Sequence, residues 1–318
     1  MAVFFFILLF SKTILLNYYS NGKLLITAEY LVLDGALALA LPTKYGQDLT
    51  VTPQLQQNNT IYWRSSNHLN TVWFECKIDY NKMQLISSTD NAVANTLISI
   101  LKEAQKLNPS FLKKNENYLI NTTLNFPKNW GLGTSSTLIN NIAQWAKINA
   151  FALQFKIFGG SAYDIACAQN NTPILYQLKD KKPIIKPINF NLSFTENLFF
   201  IYLNQKQNSR EAIKHYQKLN KNKTLFIDEI SEITKALIQT TKLTEFQYLI
   251  KKHEEIISSV LQIKPIQERL FKDYNGQIKS LGAWGGDFIL AIGDKNTIQY
   301  FKNNGYNTII PYHKMILK

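Results

Sequence analysis

The segment Trp130-Gly131-Leu132-Gly133-Thr134-Ser135-Ser136-Thr137 carries residue types that could hold a phosphate chain. Glycines let backbone N–H groups turn toward a ligand, and a helix behind them adds partial positive charge at its N-terminus. Thr134, Ser135 and Ser136 supply hydroxyls able to bond phosphate oxygens or to ligate Mg2+. The residues that follow, Leu138, Ile139, Ile142, Ala143, Trp145, Ala146 and Ile148, have the spacing of a helix lying on a core. Gly and Ser ahead of a helix are also ordinary capping chemistry, so this loop alone leaves both readings open.

Three other stretches bear on that choice. In Gly159-Gly160-Ser161-Ala162-Tyr163-Asp164-Ile165-Ala166 an acid sits in the opening turn of a short helix. It is either a partner for the helix dipole or a general base aimed at a substrate hydroxyl. Within Asn21–Gly35, Lys23 and Glu29 lie six residues apart, and on one strand that spacing puts them on one face. They form either a surface ion pair or a site where Lys23 holds a transferring phosphoryl group or lowers the pKa of an acceptor hydroxyl. Leu281-Gly282-Ala283-Trp284-Gly285-Gly286-Asp287-Phe288 joins two apolar strands. It reads as a tight hairpin turn or, since a turn has no need of an indole between its glycines, as a loop that closes over a bound ligand.

Elements must position these residues. The patterning predicts strand, turn and strand over Tyr18–Leu33, and strands at Asp48–Thr52, Thr60–Arg64, Thr71–Ile78 and Tyr118–Asn125. Ala92–Leu107 has helical periodicity, and one long helix is expected after the glycine loop. A short helix at Tyr163–Ala168 and a strand at Pro173–Leu178 follow. Lys179–Pro187, rich in lysine and proline, reads as a linker between residues 1–180 and 185–318. Beyond it come a strand at Leu198–Asn204 and helices at Arg210–Leu219, within Thr224–Val260 and at Ile266–Tyr274. Strands at Ile278–Leu281 and Phe288–Ile292, a helix at Lys295–Asn303 and a strand at Asn307–Pro311 complete the chain. Strands and helices do not alternate regularly, which favours an α+β fold over a doubly wound parallel sheet.

Composition narrows the class. A chain of 318 residues, 46% apolar and 18% charged, is a folded protein with room for two domains. The net charge of +13 rests on lysine, since Arg64, Arg210 and Arg269 are the only arginines among 35 basic residues. No basic stripe with interleaved aromatics appears, so nucleic acid is not the expected partner, although a basic field would gather anionic substrates. Cys76 and Cys167 show neither metal-ligand spacing nor a disulfide framework, and fit a reducing, cytoplasmic setting. The apolar run Phe4–Phe10 is too short to span a bilayer as a helix and lacks the flanks of a signal peptide. It is expected to be a strand or the product of an early start codon, and no membrane partner is expected.

Taken in order, the four stretches resemble the GHMP kinase superfamily over nearly the whole chain. Gly22–Tyr30 is similar to the family's G-K-x-x-x-x-G-E-Y/H block, Gly131–Ser136 to its G-L-G-S-S-A motif, and Gly282–Gly286 to its C-terminal G-A-G-G-G loop. Ala162–Ala166 looks like the G-Y-D-I-A string of a bacterial branch. Ala28, Ala162 and Trp284 stand where the family carries glycine; Thr134 replaces a serine, and Ser136 and Thr137 replace alanines. Methyl groups at 28 and 162 would tighten the pocket if those backbones need positive φ.

The resemblance implies a two-domain fold. A nucleotide-binding α/β domain with a left-handed βαβ unit would precede a ferredoxin-like domain, with ATP between them. Gly131, Leu132, Gly133, Thr134, Ser135, Ser136, Gly285 and Gly286 would hold the nucleotide. Ser135 would contact Mg2+, and Glu29 would support Mg2+ or Lys23. Asp164 would take the acceptor's proton, with Lys23 stabilising developing charge and orienting Asp164. Glu29, Ser209, Arg210 and Asp287 would face the acceptor, although Ser209 reads equally as an N-cap. The expected partners are ATP and a small anionic acceptor, phosphomevalonate or mevalonate first; homodimerisation is left open. A homoserine or sugar kinase, a diphosphomevalonate decarboxylase-like enzyme and a non-catalytic nucleotide-binding regulator are the alternatives.

Overall fold

The computed structural model describes residues 15–317 except 55–57, 113–114, 206–208, 219–221, 283 and 285. The apolar run Phe4–Phe10 lies outside the described residues. Among them, no helix is long and apolar enough to cross a membrane.

The first half builds one sheet from β1 (Leu16–Leu25), β2 (Ala38–Gln54), β3 (Thr60–Ser66), β4 (Val72–Asp79), β5 (Gln84–Ser88), β6 (Asn117–Thr123), β7 (Ile174–Lys179) and β8 (Lys182–Pro187). Their order is β5-β4-β3-β6-β2-β7-β8, with β1 also paired to β2. Only β3 and β6 run parallel; every other pair is antiparallel. Helices α1 (Asn91–Leu107), α2 (Thr134–Ala146), α3 (Ala150–Ile157) and α4 (Tyr163–Gln169) belong to this half. α1 buries Ala94, Leu97, Ile100, Leu101 and Ala104, the stripe its periodicity calls for, and Asp90 caps it by accepting from Ala92 and Val93 N–H.

The second half holds β9 (Leu198–Tyr202), β10 (Gln277–Ser280), β11 (Phe288–Ile292) and β12 (Ile309–Pro311), with α5 (Ser209–Lys218), α6 (Thr224–Leu237), α7 (Leu243–Leu261), α8 (Ile266–Leu270), α9 (Thr297–Asn303) and α10 (Tyr312–Met315). The antiparallel order β10-β11-β9-β12, with helices between β9 and β10 and between β11 and β12, is ferredoxin-like. β9 and β11 are buried along their whole length. One apolar core runs across both halves, joining Leu24, Leu41 and Ala166 to Phe200, Ile257 and Leu290.

Four expectations need correction. After β1 the chain makes no second strand; Leu31–Asp34 is a 3-10 turn entered through Ala28 (φ 68) and Tyr30 (φ 63). Lys182–Pro187 is a strand, not a linker: its prolines are accommodated on a sheet edge, where no outer neighbour needs their missing N–H. The first sheet therefore continues past residue 180. The long helix after the glycine loop is two helices, broken where Lys147 enters the left-handed region (φ 54) and restarted by the Asn149 cap. β5, with its mixed polar and apolar residues, was not expected.

Candidate active site

Gly22 begins the construction. It marks a register shift in the β1–β2 ladder, and a Cβ there would lie 2.8 Å from the Leu132 carbonyl. Only glycine lets the glycine loop dock so closely. The next residue completes the contact: Lys23 N–H donates to the Leu132 carbonyl at 3.0 Å, and Lys23 Nζ to the Gly131 carbonyl at 2.8 Å. Leu132 itself is fully buried and anchors the loop from below.

The loop then turns through Gly131 (φ 69) and Gly133 (φ 99) into α2. A Cβ on Gly133 would meet Ser136 Oγ at 2.8 Å and Lys23 Cγ at 3.2 Å, so the lysine stem occupies the space that glycine leaves. The hydroxyls divide into two sets. Ser136 donates to the Gly133 carbonyl (2.8 Å), and Thr137 bonds Gln47 (2.7 Å), so these two serve the fold. Thr134 is half-buried and Ser135 exposed at the helix N-terminus, where backbone N–H groups lack intrahelical partners.

Asp164 arrives in the first turn of α4, after Gly159 (φ 66), Gly160 (φ 82) and Ala162 (φ 59). Its carboxylate accepts from Ile165 N–H at 3.1 Å, and the Ser136 hydroxyl lies close by. Burial lifts its pKa above the ordinary carboxylate range, and the positive charge of Lys23 pulls part of that rise back. Lys23 Nζ also lies 5.9 Å from the centre of the Tyr163 ring. The lysine, the acid and the open end of α2 thus face one cleft of about 290 Å3, lined also by Tyr30, Gly282 and Asp287.

The C-terminal loop closes the far wall. The Asp287 carboxylate fits where Gly131 has no side chain; a Cβ on Gly131 would approach it to 2.5 Å. Asp287 N–H donates to the Gln205 carbonyl at 2.8 Å. Trp130 ties the same loops together, edge-on to Tyr45 (5.3 Å) and to Phe288 (5.4 Å). Gly286 is buried in this loop, while Gly285 lies outside the described residues. So do the side chains of Ser209 and Arg210, whose backbone opens α5.

Two expected placements change. Trp284 does not lie over the cleft: its indole is buried in the core and donates to Glu254 at 3.3 Å. Glu29, carried by a turn and not by a strand, pairs with Lys279 instead of Lys23. Burial pushes the Glu29 carboxyl up to about 7, against the pull of Lys279.

Sequence reading missed His253, Glu254 and Lys279. A signal was present for two of them: His253 and Glu254 fall on the buried stripe of α7 with Leu249, Ile250 and Ile257, whereas Lys279 sits in a mostly polar strand that the fold buries. Polar groups at core positions mark a network.

No family model and no curated protein matches the chain. Solved structures do match it. Methanococcus jannaschii mevalonate kinase aligns over 97% of this chain and 99% of its own, at 15% identity and a TM-score of 0.66. Streptococcus pneumoniae phosphomevalonate kinase, in complex with phosphomevalonate and AMPPNP, aligns over 91% and 95%, at 15% identity and a TM-score of 0.65. Lactococcus lactis galactokinase, complexed with galactose, aligns over 91% and 88%, at 11% identity and a TM-score of 0.66. Over most of its length this chain has the fold that these three kinases share.

Proposed function

We propose that the chain is an ATP-dependent kinase that phosphorylates a small anionic acceptor, phosphomevalonate or mevalonate before homoserine or a sugar. The observation that carries this reading is that Lys23 and Asp164 line one cleft with the open N-terminus of α2. A phosphate chain would accept from the N–H groups of Thr134, Ser135 and Ser136 at the helix N-terminus. Asp164, oriented by the Ile165 N–H, would take the proton from the acceptor hydroxyl or phosphate. Lys23 would neutralise charge on the transferring group and keep Asp164 ionised. Phosphoryl transfer asks mainly for such positioning and neutralisation.

The donor set also suits Mg2+ carried in by the nucleotide. Among the described residues, no group of three His, Cys, Asp or Glu side chains could hold a metal ion. The Ser135 hydroxyl stands ready at the helix end, and Mg2+ commonly needs only one or two protein ligands beside phosphates. When bound, the ion supplies neutralisation of the phosphate oxygens. Glu29, already paired with Lys279, is left out of this set.

The cleft wall favours one acceptor class. Leu25, Tyr30, Val32, Leu33, Phe158 and Ile213 give it a largely apolar side. That suits a short branched hydroxy acid or its phosphate better than a sugar, whose hydroxyls would each want a polar partner. Two further assignments belong to this proposal: Arg210 as a contact for the acceptor's anionic end, and a cytoplasmic location.

ADP release with Mg-ATP, measured against mevalonate, phosphomevalonate, homoserine and several sugars, tests the reading. Acceptor-dependent ADP with one of the two mevalonate compounds is expected. Failure to bind Mg-ATP would remove the kinase assignment, and CO2 release from a diphosphorylated acid would replace it with decarboxylation.

A further inference from the structure

Beside the cleft lies a cluster of ionisable groups that phosphoryl transfer does not use. Glu29, His253, Glu254 and Lys279 are each at most 2% exposed, and they come from the turn after β1, from α7 and from β10. The Lys279 ammonium donates to Glu29 Oε1 and to the Ser280 carbonyl, and lies 3.0 Å from Glu254 Oε1. An ammonium has three donors, and here it meets three acceptors. Burial alone would lower the Lys279 pKa, but Glu254 and Glu29 reverse that and hold it above its ordinary value. The cation is therefore saturated and has no hydrogen to offer a ligand.

Its neighbours extend the connection in both directions. Glu254 accepts from Ser280 N–H (3.0 Å), the Ser280 hydroxyl (2.7 Å) and the Trp284 indole (3.3 Å). His253 Nε2 accepts the Ala28 N–H at 2.9 Å; desolvation and the charge of Lys279 keep this imidazole neutral. Two segments that line the cleft are thereby rooted in one cluster: the turn with Glu29 and Tyr30, and the loop with Gly282 and Asp287. Both contain left-handed residues, Ala28 (φ 68), Tyr30 (φ 63), Trp284 (φ 60) and Asp287 (φ 55), a conformation that persists only where surroundings enforce it.

We propose that Lys279 is a positioning residue for the cleft, clamping the turn that bears Glu29 and Tyr30 to the loop that bears Gly282 and Asp287. The clamp fixes the spacing between these walls, and with it the fit of nucleotide and acceptor. This inference rests on the cleft being the site proposed above.

The test must separate positioning from bulk stability. Lys279→Met alone leaves two carboxylates buried without their cation and is expected to unfold readily. The double variant Glu29→Gln/Lys279→Met removes a charge of each sign and should recover much of the lost melting temperature. If Lys279 positions the cleft, the double variant still takes up more deuterium than wild type over residues 28–33 and 281–288. Its turnover should stay down by about tenfold to a hundredfold, as small misplacements of reacting groups cost. Recovered melting temperature with wild-type exchange in both segments would overturn the proposal. Glu29→Leu, similar in size but unable to accept from Lys279, carries the test if the double variant does not fold. It should loosen residues 28–33, and unchanged exchange there would equally overturn the clamp. Wild-type protein that fails to bind Mg-ATP would sink the kinase reading while leaving the exchange result standing.

Discussion

Two lysine–carboxylate pairs serve the same cleft and do opposite things. Lys23 and Asp164 both line its open face, where Lys23 donates one hydrogen bond to a backbone carbonyl and Asp164 accepts one from an amide. Lys279 and Glu29 meet behind it, sealed from solvent, with every ammonium donor used. The first pair keeps unused capacity toward the cleft and is suited to chemistry. The second is saturated and is suited to structure. A lysine beside a carboxylate is thus no signature of catalysis until its remaining hydrogen bonds are counted.

The sharpest way to break this contrast is Asp164→Asn. Loss of a general base should lower kcat by about 10²- to 10⁴-fold while nucleotide affinity persists, read by steady-state kinetics and calorimetry. Near-normal turnover would remove Asp164 from that role. Stability should divide the pairs the other way. Lys279→Met should cost about 3–5 kcal/mol in chemical denaturation, because it strands buried carboxylates. Lys23→Met, at the open face, should cost well under that.

A pH profile sharpens the comparison further. Burial raises the Asp164 pKa and Lys23 lowers it, so the acid limb of kcat/KM should fall above the ordinary aspartate value. The base works when ionised, so activity should rise with pH through that limb. In Lys23→Met the limb should move higher still; a limb that stayed put would show that Lys23 does not act on Asp164. The smallest effect is expected at Ala162→Gly. Relief of a left-handed alanine (φ 59) is offset by the flexibility gained in the unfolded chain and by a lost buried methyl. The denaturation midpoint should therefore shift by less than about 1 kcal/mol in equivalent stability.

Much of the site was legible because glycine leaves a plain signal. Gly22, Gly131 and Gly133 occupy places where a Cβ would collide with backbone or neighbouring side chains. α1 and β11 were legible from periodicity and from an unbroken apolar run, and their observed ends lie within a residue of those expected. The turn at Glu29 was not. Leu31, Val32 and Leu33 have the composition of a strand, and nothing local announces that Ala28 and Tyr30 bend the chain before them. Those bends depend on contacts supplied more than 200 residues later, such as the Ala28–His253 hydrogen bond. Trp284 misled for a similar reason. An indole among glycines suggested a loop closing over ligand, yet its partner is a buried glutamate on α7, 30 residues earlier. β8 was hidden by lysine and proline, residues that discourage a central strand but are at home on an edge.

The apolar core that crosses both halves has a mechanical consequence. Leu24, Leu41 and Ala166 pack in the same cluster as Phe200, Ile257 and Leu290. Swinging one half against the other like a jaw would prise that cluster open and wet it, at a cost comparable to partial unfolding. Such a core opposes hinge motion between the halves, and their melting should register as one cooperative event.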